Sequence, residues 1–126
     1  MAMLLCGCSS LTSINVPDSV TEIYDGAFSD TGLTSFRVPS QIEGIGGDVF
    51  QGCANLKILS LPNRDAIKDI EIETFSNLTT INFEGSQSDW IDLWDLSGYD
   101  DPIGEWKSSF NFTGTIEFNT YPSLED

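Results

Sequence analysis

Histidine is absent from the 126 residues, and lysine and arginine together number only 5. Without imidazole the chain lacks the usual general base near neutral pH and the commonest metal ligand. It also lacks the centre of every triad that uses histidine. The few cations face 20 aspartates and glutamates, a net charge of −15. That field repels nucleic acid and anionic lipid, both of which are held by Lys/Arg clusters. It favours solubility and cationic partners. Long apolar runs are missing too, and none approaches the ~20 residues that a membrane-spanning helix needs. Cysteine occurs only as Cys6, Cys8 and Cys53, an odd set without the spacing of a disulfide framework. Leu5-Cys6-Gly7-Cys8 superficially suggests a lipoprotein cleavage site, but no basic region precedes it and its apolar stretch is too short. No G-x-S-x-G, H-E-x-x-H or phosphate-binding glycine loop occurs.

What is present is enough apolar character for a core, 40% of the residues, and a repeat that organises it. The units run CSSLTSINVPDSVTEIYDGAFSD from Cys8, TGLTSFRVPSQIEGIGGDVFQG from Thr31 and CANLKILSLPNRDAIKDIEIETFS from Cys53. A fourth opens as NLTTINFEG at Asn77 and then departs from the pattern. The chain begins inside a unit, as a piece trimmed from a longer parent would. Leu11, Leu33, Leu56 and Leu78 form one column, Ile14, Phe36, Leu59 and Ile81 a second, and Val16, Val38, Leu61 and Phe83 a third. Pro17, Pro39 and Pro62 follow directly in the first three units. The Leu-x-x-Ile-x-Val pattern predicts one short strand per unit with these residues inward, ended by a proline that has no N–H for a ladder. Val20, Ile23 and Phe28, then Ile42, Ile45 and Phe50, then Ile67, Ile70 and Phe75 return along the other side and refill the core. Gly26, Gly46 and Gly47 sit where that return must turn sharply. One unit cannot bury its own face, whereas stacked units share a continuous interior.

These residues resemble the BspA-like leucine-rich repeats, whose units read Leu-x-x-Ile-x-Ile-Pro, a polar pair, and Val-x-x-Ile-Gly-x-x-Ala-Phe-x-x-Cys. Here the form is LTSINVPDSVTEIYDGAFSD, and the likeness covers residues 8 to about 83. The proline after the strand and the Ala-Phe pair set it apart from ordinary leucine-rich repeats. INFEGSQSDWIDLWDL and EWKSSFNFTGTIEFN are similar to the Trp-containing C-terminal module that often follows such repeats, with Phe83, Ser86 and a cysteine-free hairpin as departures. The resemblance implies a mainly β repeat solenoid, a right-handed leucine-rich-repeat superhelix, over residues 1–83, with a helix-plus-hairpin cap over 84–126. It also implies an extracellular or cell-surface protein engaged in adhesion to host proteins or to other cells.

Within the cap, Ser86 or Ser88 can cap a helix with Asp89 in its first turn, and Trp90, Leu93 and Trp94 share one helical face. That face would close the open end of the core; the alternative is an aromatic ligand box. Asp100-Asp101-Pro102 marks a loop. Phe110 and Phe112, then Thr113-Gly114, then Ile116 and Phe118 predict a hairpin, and Tyr121 to Asp126 a tail.

Alternation turns two columns outward: Asn15, Arg37, Ser60 and Asn82, and beside them Ser13, Ser35, Ile58 and Thr80. Four strands give a platform ~15 Å wide, suited to a peptide or a sugar strand. The alternative is a face that merely meets water. Asp89, Asp92, Asp95, Asp100 and Asp101 form an acidic cluster without the spacing of a calcium loop, so a solvated face is expected and no metal or other cofactor. Cys8 and Cys53 occupy equivalent places two rungs apart, ~9.6 Å, beyond disulfide reach; Cys6 is free or intermolecular. Asn77-Leu78-Thr79 and Asn111-Phe112-Thr113 match the N-glycosylation pattern, which matters only in a secreted eukaryotic chain. A carboxylate glycosidase would need a cleft, and stacked units offer none. The expectation is therefore a non-catalytic module whose partners are proteins or glycans, with no nucleic acid and no membrane insertion. The alternative is a structural unit that self-associates through its unpaired strand edges.

Overall fold

Short alternating segments form the strands, two of them followed closely by Pro39 and Pro62, and the residues between them loop back into the same interior. A computed structural model describes residues 12–24, 26–46 and 48–122 of the chain. In chain order the elements are β1 (Glu22–Ile23), β2 (Ser35–Arg37), β3 (Gly44–Ile45), β4 (Ile58–Leu61) and β5 (Thr80–Phe83). They are followed by α1 (Gln87–Leu93), α2 (Pro102–Ser109) and β6 (Thr115–Phe118). Two 3₁₀ turns, Asp65–Asp69 and Ile72–Thr74, lie between β4 and β5.

There are two parallel sheets: β1 with β3, and a four-stranded sheet in the order β2-β4-β5-β6. Strict register carries each column across the larger sheet. Phe36, Leu59, Ile81 and Ile116 lie side by side facing inward, and Leu61, Phe83 and Phe118 continue the next column. Leu33, Leu56 and Leu78 are buried beneath the strand entries, and Val20, Ile42 and Ile67, with Ile23, Ile45 and Ile70, bury the return side of the same core. Leu11, Cys6, Cys8 and Gly47 lie outside the described residues. Each fully buried Leu, Ile or Phe adds ~1.5–3 kcal/mol. Side chains repeat the spacing as well. Thr79 Oγ1 donates to the Lys57 carbonyl at 3.1 Å and Thr34 Oγ1 to the Thr12 carbonyl at 3.4 Å, each bond joining residues 22 apart.

The first unit departs from the expectation of one strand per unit. Residues 12–17 take no strand conformation, and a backbone bond from Thr34 N to the Thr12 carbonyl ties them to the neighbouring unit. Among the described residues this segment is tied to the neighbouring unit on one side, and a rung paired on one side is held weakly. The fourth strand of the sheet comes from the other end of the chain, and there the expected hairpin is corrected. Phe110 and Phe112 do not form a strand: Phe110 ends α2 and Phe112 is buried. β6 runs parallel to β5 and sets Thr115 beside Thr80 and Ile116 beside Ile81. Asp100 and Asp101 lie in the expected loop, which ends where Asp101 caps α2 by accepting from Gly104 N at 3.2 Å and Pro102 opens the helix. Both features favour a helix start. Gly114 makes the entry to β6 possible, since a Cβ there would overlap the Thr79 carbonyl.

α1 begins with a reciprocal capping box. Ser86 Oγ accepts from Asp89 N at 3.1 Å, and the Asp89 carboxylate accepts from Ser86 N at 2.9 Å. Trp90 is fully buried, with Leu93 and Trp94 half-buried beside it. Trp90 meets Phe83 edge-on at 4.9 Å and Trp106 at 4.9 Å, so the aromatic cluster of the two helices is continuous with the repeat core. Among the described residues the indole N–H groups of Trp90, Trp94 and Trp106 are buried without a hydrogen-bond partner. Their tilted and edge-on neighbours leave ring faces as the available weak acceptors.

Candidate functional site

The outward side of the four-stranded sheet carries two rows. Ser35, Ile58, Thr80 and Thr115 form the first, and Arg37, Ser60, Asn82 and Glu117 the second. The sheet therefore brings together Ser35, Arg37, Ile58, Ser60, Thr80 and Asn82 as predicted. Ser13 and Asn15 are exposed but lie on the segment that forms no strand. The rows differ in access. Ser35, Ile58 and Thr115 are exposed and Thr80 half-exposed, whereas Ser60 is buried at 5% exposure.

Ser60 is buried because the second row is occupied. Asp18 and Arg37 form a bidentate ion pair at 2.7 and 3.3 Å, and Asp18 also accepts from Ser40 N at 2.8 Å. Asn82 Nδ2 donates to Ser60 Oγ at 3.4 Å. Residues 119–122 then cross the strand ends. Asn119 N donates to the Gly85 carbonyl at 2.8 Å, Thr120 N to the Phe83 carbonyl at 3.2 Å, and Thr120 Oγ1 to Asn82 Oδ1 at 3.4 Å. The Tyr121 hydroxyl donates to the Val38 carbonyl, and Arg37 Nε donates to the Pro122 carbonyl at 2.8 Å. The Arg37 guanidinium lies 4.5 Å from the centre of the Tyr121 ring. Tyr121 and Pro122 are thus a fastened strap rather than the expected tail; residues 123–126 lie outside the described part.

This setting shifts two titrations. The Arg37 guanidinium, hydrogen-bonded to Asp18, holds that carboxyl at about 2, against partial burial that raises it. Burial pushes the Tyr121 phenol well above its usual range, with Arg37 opposing. The phenol therefore remains a donor into alkaline solution.

β2, β4 and β5 follow one another at steps of 22 or 23 residues with the return residues between them, and a family model for the BspA type leucine-rich repeat region matches residues 3–90 in six copies. The chain belongs to this family. No curated protein and no solved structure gave a significant match. In a BspA-type repeat of this sequence the cysteine that opens the third unit is a packing residue. Cys53 is buried, donates to the Phe28 carbonyl at 3.0 Å and lies 3.3 Å from Thr31 Oγ1. The acidic cluster dissolves into separate roles: Asp89 and Asp101 cap α1 and α2, while Asp92, Asp95 and Asp100 are exposed. Among the described residues no group of three or more carboxylates and thiols is placed to hold a metal ion. Asn77 donates to the Ala54 carbonyl at 2.6 Å, and Asn111 is an exposed turn residue with φ of 54°. An open depression of about 440 Å³ lies over β1 and β3, lined by Glu22, Tyr24, Gly44 and Gly46, and shares no residue with the four-stranded face. No helix among the described residues is long and apolar enough to cross a membrane.

Asp18, Thr115, Glu117, Tyr121 and Pro122 belong to this face, and reading the repeat alone missed them. For the two on β6 a signal was present: Thr115-Ile116-Glu117-Phe118 repeats Thr80-Ile81-Asn82-Phe83 with one substitution. Nothing local marks Tyr121 as a contact of Val38, 83 residues away.

Proposed function

We propose that this BspA-type chain is a non-catalytic binding or adhesion module of the cell exterior, a right-handed repeat solenoid over residues 1–83 closed by a cap over 84–126. Its outward strand face meets a protein or glycan partner. One observation carries the reading. The row Ser35, Ile58, Thr80 and Thr115 lies across four in-register parallel strands, exposed or half-exposed along its length, with the apolar Ile58 at 39% exposure among hydroxyl side chains. Small hydroxyl groups around one apolar anchor suit a flat or extended ligand, because they hydrogen-bond without steric bulk. The net charge of −15 favours partners of opposite sign.

The test is binding of the labelled chain to a glycan array and to intact cultured cells. Ile58→Asp combined with Thr80→Lys is expected to lower binding at least tenfold without lowering the melting temperature. Equal binding by this variant would remove the strand face from the reading. A second reading, self-association, draws on β6, whose outer edge pairs with no strand among the described residues. Light scattering separates the two, because a clean monomer over a wide concentration range counts against self-assembly.

A further inference from the structure

The Val38 carbonyl poses an accounting problem that the repeat creates for itself. In a parallel ladder each residue donates to one neighbour of the facing strand and accepts from the residue two places later. Val38 N donates to the Ser60 carbonyl at 2.9 Å, so its own carbonyl would accept from residue 62. Residue 62 is a proline and has no N–H. One rung further on, Glu84 stands where the proline would be, and its N–H donates to the Leu61 carbonyl at 2.9 Å. The proline ladder therefore leaves a strand-end acceptor at Val38, and the Tyr121 hydroxyl fills it. Around that acceptor the site is built from fixed parts. Arg37 is clamped bidentately by Asp18, covers the Tyr121 ring and donates to the carbonyl of the next residue, Pro122. Asn119, with φ of 59°, turns the chain out of β6 toward it.

We infer that the strand ends at Val38, Arg37 and Asn82 form a docking groove for an extended peptide carrying tyrosine followed by proline, and that residues 119–122 are its built-in occupant, which a partner segment of the same chemistry displaces. The inference goes beyond the binding-face reading above, because the groove runs along the second row, beside the exposed row of Ser35, Ile58, Thr80 and Thr115. The ring contributes a flat face to the guanidinium, the phenol satisfies the orphaned carbonyl, and the following carbonyl accepts from Arg37. Proline in that last position keeps the tyrosine backbone extended, so less freedom is lost on docking. Because the occupant is tethered, a free peptide competes against a high local concentration and gains access only to the fraction of molecules with the strap open.

The probe is the capped tetrapeptide acetyl-Asn-Thr-Tyr-Pro-amide, titrated by NMR into the full chain and into its Tyr121→Ala variant. The variant is expected to bind at least tenfold tighter than the wild type, as a strap closed about nine-tenths of the time requires, with shifts centred on Arg37, Val38 and Asn82. The same peptide with phenylalanine for tyrosine should lose that gain. If Tyr121→Ala fails to fold, Tyr121→Phe, which keeps the ring and removes only the donor, serves in its place with a smaller gain. Equal affinity for wild type and variant, or no binding to a folded variant, overturns the inference. Ile58→Asp should leave tetrapeptide binding unchanged. Loss of cell or glycan binding in that variant with no peptide binding to Tyr121→Ala would therefore sink the strap inference alone and leave the face intact.

Discussion

Phe28, Phe50 and Phe75 succeed one another down the return side of the core, with ring centres 6.0 and 5.6 Å apart and Phe36 set between the first two at 5.0 and 5.1 Å. Each ring leans on the next unit, so truncating one leaves a hole that two units share. Phe28→Ala or Phe50→Ala is expected to cost ~3–5 kcal/mol, the usual range for such core truncations, read from chemical denaturation; a loss below ~1 kcal/mol would show that the ladder is not core. Asp18 acts through charge instead. Its carboxyl is held at about 2 in the fold against 3.8 for the free group. A depressed carboxyl contributes its full stability above the unfolded value and loses it as pH falls through the folded one. The stability gap between wild type and Asp18→Asn should therefore be constant above about pH 4 and close toward pH 2. A gap that does not change between pH 2 and 6 would detach Asp18 from the ion pair. Backbone freedom matters at Gly52, whose φ is +81° and whose missing Cβ leaves room for the Asp30 carboxylate.

Elements in this chain are short, and most draw their stability from neighbours rather than from propensity. The strands span two to four residues, too few to persist alone. α1 is the partial exception, since its seven residues carry a complete capping box. Ser86→Ala should cost ~1 kcal/mol, as the loss of an N-cap does, and reduce Trp90 burial as seen by fluorescence. Unchanged stability and emission would mean that the helix is held by Trp90 packing alone. Leu33, Phe36, Val38 and their successors were legible because two periodicities, the strand alternation and the unit length, agreed on the same residues. The pair Phe110 and Phe112 satisfied alternation equally well, yet no ladder lies beside it. Asp101-Pro102 at the start of α2 was a helix signal that a loop reading absorbed.

At the scale of the whole molecule, Trp90, Trp94 and Trp106 all follow β5, while β1 to β5 hold most of the strand residues. Tryptophan fluorescence and far-ultraviolet circular dichroism thus watch different parts of one chain. Phe83 packs on Trp90 and β5 pairs with β6, so the two signals should lose their native values in a single transition. Separated midpoints in urea would divide β1 to β5 from the segment that follows them as independent units. A period of about 22 residues, written into the chain, sets which residues face inward and how neighbouring units align, because it puts like beside like and burial rewards that alignment at every rung. That β6 joins the sheet in parallel and that Tyr121 reaches Val38 emerges from the folded chain alone. Alternation says which side of a segment is apolar, but neither its direction nor its partner, and a hydrogen bond across 83 residues leaves no trace in local spacing.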